Sequence, residues 1–282
     1  MLTLKDIASA HERICSYIHR TPVLTNNSLN ELTGANLFFK CENFQKAGSF
    51  KIRGATNTVE LLSQNEMDKG VATTSSGNHG AALSMAVTRR GGKTKVVMPH
   101  NTPKIKVINV ERNGGEVVWC EPDQTSREQV LADLVNETGA TVVHPYNDER
   151  IIAGQGTCAK ELLEDYPEIH IIVSPVSGGG LLSGTLISAK EINEQVSVYG
   201  AEPVEADDAF RSLQNGEILP NETINTICDG LRAQIGTITF PIIQEHVKGI
   251  ITLSEEEILN SMKMIWERLK IIVEPSCSIS LA

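Results

Sequence analysis

At 282 residues with 40% hydrophobic content, the chain carries enough apolar material to bury one large core or two modest ones. Its 25 lysines and arginines stand against 35 aspartates and glutamates, and the net charge of −10 repels a nucleic-acid backbone, which excludes nucleic acid as an expected partner. No apolar run approaches the roughly 20 residues of a membrane span, the opening segment lacks the charged head and apolar centre of a secretory signal, and the six cysteines show no paired spacing. The expected setting is therefore the cytoplasm, with reduced thiols and no membrane partner.

Short β-branched runs alternate with helical patterns, as in parallel strands joined by crossover helices, so the fold class is α/β. Strands are predicted at residues 36–40, 95–98, 116–120, 141–143, 171–174 and 196–200. Helices are predicted at 79–89, 126–137, 152–164 and 181–192. The rhythm groups residues 71–145 into a small domain and residues 1–70 with 146–282 into a large one. In open parallel sheets ligands bind beyond the carboxyl ends of strands, so a cleft between two such domains is the expected site.

The first motif in chain order is Gly48-Ser49-Phe50-Lys51-Ile52-Arg53-Gly54-Ala55, a small-residue turn entering a helix with a lysine at its start. An amine held against Phe50 loses the stabilisation of its charge and becomes nucleophilic toward an aldehyde. A lysine there is more often simply solvated. The second motif, Thr73-Thr74-Ser75-Ser76-Gly77-Asn78-His79-Gly80, breaks an apolar run just before a helix. Amides at such a start bind anions, and a substrate carboxylate fits; Ser75 or Ser76 serves equally as a helix cap.

The third motif is the buried run Val173-Ser174-Pro175-Val176 leading into Ser177-Gly178-Gly179-Gly180-Leu181. Consecutive glycines let amides crowd a phosphate at a helix N-terminus. The loop lacks both the Lys-Ser/Thr ending of a P-loop and the dinucleotide spacing, which disfavours nucleoside triphosphate or NAD chemistry there. A glycine turn without a ligand remains the alternative. The fourth feature, Ala201-Glu202-Pro203-Val204-Glu205-Ala206-Asp207-Asp208, offers oxygen ligands to a hard cation, although most acidic loops are only solvated faces.

These segments, in this order, resemble the serine racemase and threonine dehydratase branch of the fold-type II pyridoxal-phosphate enzymes. The likeness runs along the whole chain and is carried also by His19-Arg20-Thr21-Pro22-Val23-Leu24, Ile152-Ala153-Gly154-Gln155-Gly156-Thr157 and Asp229-Gly230-Leu231-Arg232. It implies two open twisted parallel sheets flanked by helices, as in the tryptophan synthase β-like fold, with pyridoxal 5'-phosphate between a large and a small domain. Lys51 is then the Schiff-base lysine, with Phe50 against the pyridine face and Asn78 on the phenolic oxygen. Ser177, Gly178, Gly179, Gly180 and the amide of Leu181 hold the phosphate. Ser75, Ser76, Gly77, Asn78 and His79 receive the substrate carboxylate.

The resemblance makes Glu202, Asp208 and the carbonyl of Ala206 ligands of Mg²⁺, Ca²⁺ or Mn²⁺. It also implies racemisation of L- and D-serine by Lys51 and Ser76 on opposite faces, and elimination to keto acid and ammonia, with L-threonine among the substrates. A homodimer is expected, and ATP as an effector on Asn26, Asn27, Ser28, Lys46 and Lys270. Relatives continue past the position of Ala282 with a serine-containing turn that contacts the pyridine nitrogen, and Cys277 and Ser278 depart from their pattern. Two alternatives stand beside this reading: a threonine or 3-hydroxyaspartate dehydratase with little racemisation, and a catalytically impaired product acting as a non-catalytic partner.

Overall fold

The computed structural model describes residues 2–75 and 77–282. Helix α1 (Leu4–Ile14) is followed by β1 (Val23–Leu24), α2 (Asn27–Thr33), β2 (Phe39–Lys40), α3 (Lys51–Leu61), α4 (Gln64–Lys69), β3 (Val71–Thr74) and α5 (Asn78–Arg89). Next come β4 (Thr94–Pro99), α6 (Lys104–Arg112), β5 (Gly115–Cys120), α7 (Gln124–Thr138), β6 (Thr141–Val142) and α8 (Glu149–Asp165). The remainder is β7 (Ile171–Pro175), α9 (Gly180–Ile192), β8 (Ser197–Pro203), α10 (Asp208–Asn215), α11 (Thr239–His246), β9 (Gly249–Leu253), α12 (Glu255–Arg268) and α13 (Pro275–Ser278).

Two parallel sheets form the frame. One has the order β5-β4-β3-β6 and the other β7-β8-β9. Parallel pairing needs a crossover, and α5, α6, α7, α9, α10 and α11 lie in the connections, which is why strand and helix patterns alternate in the sequence. The α/β class is thus realised. The predicted strand at 36–40 shortens to β2, which pairs antiparallel with β1, Val23 opposite Lys40. Its end is fixed by a side chain, since Lys40 Nζ donates to the Thr21 carbonyl at 2.9 Å and to Glu161 at 2.7 Å. Helix α7 starts where Asp123 accepts the Ser126 amide and ends at Gly139, φ +69°, in the left-handed conformation that favours glycine.

Helices α3, α8 and α9 pack at backbone distance, and small residues make this possible. A Cβ placed on Gly154 would lie 2.5 Å from Gly54 Cα, and one on Gly184 would lie 2.5 Å from the Gly156 amide nitrogen. The Ala-Gly-Gln-Gly-Thr string is therefore a helix-packing surface. Apolar cores fill the space around it: Ile52, Val59, Leu83 and Ile151 beside the four-stranded sheet, and Ile172, Leu182, Leu186 and Ile243 against the three-stranded one.

Two residues beyond Lys51, the fully buried Arg53 meets both oxygens of Glu42, at 2.7 and 2.8 Å, and both of Glu161, each at 2.8 Å. Lys40 completes a neutral quartet of two cations and two carboxylates. Such charges are tolerable away from water only when all are paired. Replacing Arg53 with methionine leaves Glu42 and Glu161 short of a cation, and urea denaturation should register a loss of about 3–5 kcal/mol; an unchanged midpoint would show that the quartet does not hold α3 in place.

Candidate active site

The motifs converge at the carboxyl ends of the strands. Ser75 follows β3, His144 comes two residues after β6, Ser177 two residues after β7, and Glu202 is the penultimate residue of β8. Sheet geometry thus collects into one region groups far apart in sequence.

Lys51 is the first residue of α3. Its Nζ donates to the Pro145 carbonyl at 2.9 Å and lies 5.3 Å from the centroid of the Phe50 ring. The side chain is partly covered, its amine is enclosed, and no carboxylate pairs with it among the described residues. Desolvation alone brings its pKa from 10.5 down to about 8. About a tenth of the amine is therefore uncharged at pH 7, far more than for an ordinary lysine, and the uncharged form is the one that attacks an aldehyde.

Two histidines stand near this amine. His79, on α5, is 2% exposed, its Nδ1 has no partner among the described residues and its Nε2 is 3.4 Å from the Val143 carbonyl. Burial, reinforced by the charge of Lys51, pushes its pKa down to about 3, so the ring is neutral. His144 is also shifted down, by burial first and then by Lys51. Its Nδ1 accepts the amides of Asn147 at 2.9 Å and Tyr146 at 3.3 Å, which places the ring proton on Nε2 and folds residues 144–147 into a turn. That turn aims the Pro145 carbonyl at Lys51.

The next residue in the turn, Tyr146, reaches the glycine loop. A Cβ on Gly178 would sit 2.3 Å from the Tyr146 ring, and one on Gly180 would sit 3.1 Å from Tyr146 Cβ. Adjacent residues of one turn thus touch the amine and the loop, so Lys51 and the loop are neighbours. Gly179 takes φ +88°, and α9 begins immediately after it. The Ser183 amide makes the first bond back to Gly179, which leaves the amides of Gly180, Leu181 and Leu182 without intrahelical acceptors. Free amides, a helix start and a desolvated amine close by fit pyridoxal phosphate in both charge and reactivity. The Ser177 hydroxyl is committed elsewhere, accepting from the Ala233 amide at 3.0 Å and donating to the Ala233 carbonyl at 3.3 Å.

In the predicted carboxylate loop, Ser75 Oγ accepts the amides of Gly80 at 3.0 Å and Gly77 at 3.3 Å, so it caps α5. Asn78 Nδ2 donates to Glu274 at 3.0 Å, at the foot of α13. Ser76, the predicted partner of Lys51, lies outside the described residues. Lys106 on α6 leans over Gly77 and forms an ion pair with Asp229, which joins the helices of the four-stranded sheet to the turn at Asp229–Leu231.

Glu202 and Asp208 are both buried, in β8 and at the start of α10. Glu202 accepts the amides of Phe210 at 2.9 Å and Ala209 at 3.2 Å, and Asp208 accepts that of Ile235 at 2.7 Å. Burial, with the charge of Asp208 next, pushes Glu202 up to about 9; burial pushes Asp208 up to about 6. Among the described residues neither carboxylate is in an ion pair, and Arg211 is paired with Asp207 at 2.7 Å. Two buried oxygen donors that flank Ala206 in the chain are of the type a hard cation takes, although no cluster of three or more histidine, cysteine, aspartate or glutamate side chains is found among the described residues. Of the predicted nucleotide positions, Asn26 and Ser28 both contact Arg268 at the end of α12, two residues before Lys270; Asn27 opens α2, and Lys46 begins the short turn Lys46–Gly48.

Sequence reasoning missed the turn 144–147, Glu274 and the Lys106–Asp229 pair. Only the turn left a signal, a His-Pro pair just past a predicted strand end. A backbone carbonyl such as that of Pro145 leaves none.

The chain matches the family described as pyridoxal-phosphate dependent enzyme over residues 14–282. It is 51% identical to the serine racemase of Arabidopsis thaliana across 98% of this chain and 84% of that protein. It is 48% identical to the β-hydroxyaspartate dehydratase of Paracoccus denitrificans across 99% of this chain and 89% of that protein. The solved structure of maize serine racemase superposes with a TM-score of 0.97 at 44% identity, covering 100% of this chain and 87% of that one.

The depressed basicity of Lys51 is open to direct measurement. Acetylation of the coenzyme-free protein, followed residue by residue by mass spectrometry across a pH series, should label Lys51 with a midpoint near 8, well below the ordinary lysine value of 10.5. A midpoint at the ordinary value would show that the amine is solvated.

Proposed function

The chain belongs to the pyridoxal-phosphate-dependent enzymes, and from that premise we propose that it interconverts L- and D-serine and also dehydrates serine to pyruvate and ammonia. The observation that carries this reading is the desolvated amine of Lys51 beside a loop whose helix-start amides have no intrahelical acceptor. Bound pyridoxal phosphate withdraws electrons from the substrate amino acid and acidifies its Cα–H bond.

Around that chemistry the residues divide the work. Lys51, uncharged in part near neutrality, takes or returns the Cα proton on one face. Ser76 is assigned the opposite face, so a proton lost to one group and regained from the other inverts the centre. His79 and His144 are shifted down by burial, so that of these three neighbours Lys51 is the one that titrates above neutrality. The amides at the start of α5, with Ser75 to His79, orient the substrate carboxylate. Phe50 lies against the ring, Asn78 holds the phenolic oxygen, and Gly178 to Leu181 hold the phosphate. Proton donation to the β-hydroxyl from the phosphate side favours elimination over inversion.

A divalent cation on Glu202, Asp208 and the Ala206 carbonyl relieves the repulsion of two buried carboxylates. A cytoplasmic homodimer with ATP held by Asn26, Asn27, Ser28, Lys46 and Lys270 completes the proposal, on the strength of the residue pattern. The two sheets are read as the cores of its two domains. Dehydration of 3-hydroxyaspartate is the second reading, favoured by the 48% identity to the Paracoccus dehydratase; keto-acid release measured against D-serine over a substrate panel separates the two.

Substituting alanine for Ser76 should abolish D-serine formation from L-serine and spare release of pyruvate. Undiminished D-serine production would refute the two-face assignment. Removing divalent cations with EDTA should lower the melting temperature, because a ligand bound only by the folded state stabilises it; identical melting curves with and without Mg²⁺ would remove Glu202 and Asp208 from a cation site.

A further inference from the structure

The glycine loop and the acidic pair are joined by residues 233–239, a stretch without any recognisable motif. The Ala233 amide donates to Ser177 Oγ at 3.0 Å. The Ile235 amide donates to Asp208 Oδ2 at 2.7 Å. Its immediate neighbour, Gly236, donates to the Gly178 carbonyl at 3.3 Å and to Thr239 Oγ1 at 3.0 Å. Thr239 is wholly buried, and the shorter contact of its hydroxyl, 2.7 Å, is again to the Gly178 carbonyl. A Cβ on Gly179 would lie 2.8 Å from Ile235, Ile243 and Thr239 alike, so the segment presses directly on the loop.

The same segment is tied to the turn that faces Lys51. Asn147 Oδ1 accepts the Ile238 amide at 2.7 Å, and its Nδ2 donates to Thr237 Oγ1 at 3.0 Å. The Asn147 amide in turn donates to His144. Consecutive residues 235 and 236 thus hold Asp208 on one side and Gly178 on the other. Neighbouring Cα atoms are a fixed 3.8 Å apart, so a shift of Asp208 that moves the Ile235 amide also moves the Gly178 carbonyl.

We propose that residues 233–239 form a strap coupling the acidic pair to the glycine loop, with Thr239 as the positioning residue that sets the Gly178 carbonyl and hence the direction of the loop amides. The proposal rests on reading the loop as the phosphate cradle and the acidic pair as a cation site. A cation shares the charge of Asp208 and so alters its hold on the Ile235 amide; the strap passes that change to the loop. Coupling of this kind is reciprocal, each ligand altering the affinity for the other by the same factor.

Two titrations on the purified full chain test the strap: pyridoxal phosphate followed by absorbance with and without Mg²⁺, and Mg²⁺ followed by calorimetry with and without pyridoxal phosphate. In the parent protein each ligand should strengthen binding of the other by roughly fivefold or more. Thr239→Val keeps the shape and removes the hydroxyl; it should bind pyridoxal phosphate roughly tenfold more weakly, still bind Mg²⁺, and bring the coupling factor to about one. Thr239→Ser should restore both, which a merely space-filling role for Thr239 does not predict. Thr239→Ala gives the same readouts should the valine chain fail to fold. Coupling that survives in the variants, or is absent from a parent protein that binds both ligands, overturns the strap. A parent protein that binds no Mg²⁺ overturns the cation reading and the coupling together, and one that binds no pyridoxal phosphate overturns the cradle.

Discussion

An amine withdrawn from water and given no carboxylate to pair with is the constraint around which the site is built. Placing Lys51 at the first position of α3 costs the stabilisation of its charge, and the only polar partner described for Nζ is the neutral carbonyl of Pro145. A nearby carboxylate would restore the charge and abolish the nucleophile. The carboxylates that α3 does require, Glu42 and Glu161, are held two residues away by Arg53, which satisfies both. Segregating paired from unpaired charge within three residues of one helix lets a buried salt network and a reactive lysine coexist.

Close backbone packing gives that arrangement its rigidity. Gly54 against Gly154, and Gly156 against Gly184, fix α3, α8 and α9 relative to one another without intervening side chains. Because α9 also begins at the glycine loop, the helix that carries the amine and the helix that offers free amides share α8 as a common reference. Tyr146 closes the remaining gap. Its ring covers Gly178 and its Cβ and backbone crowd Gly180, which explains why two glycines of the loop carry no side chain apart from any demand of a phosphate.

The acidic pair applies the opposite principle. Glu202 and Asp208 are like charges brought together in a buried place, and both are pushed toward the protonated state. Amides of Ala209, Phe210 and Ile235 supply part of the missing compensation. Through Ile235 that compensation is borrowed from the segment that braces the glycine loop, so the electrostatics of the pair and the geometry of the loop share a backbone.

Local pattern and rare strings were enough to read the α/β class, most crossover strands, the lysine at a helix start, the glycine turn and the family, because strand and helix periods and special turns are written in consecutive residues. Short elements were less legible: β3 and β9 pass as brief apolar runs, and 36–40 reads as a parallel strand although it pairs antiparallel. The sequence alone thus determined which chemical groups are present and which local elements carry them. Only the tertiary structure decided that Lys51 has no counter-charge among the described residues, that the Pro145 carbonyl and Tyr146 join it to the glycine loop, and that residues 233–239 tie this loop to Asp208. Those facts depend on desolvation and on hydrogen bonds to backbone groups between segments 27 to 94 residues apart, and backbone groups are the same in every non-proline residue, so no residue type marks them in the chain.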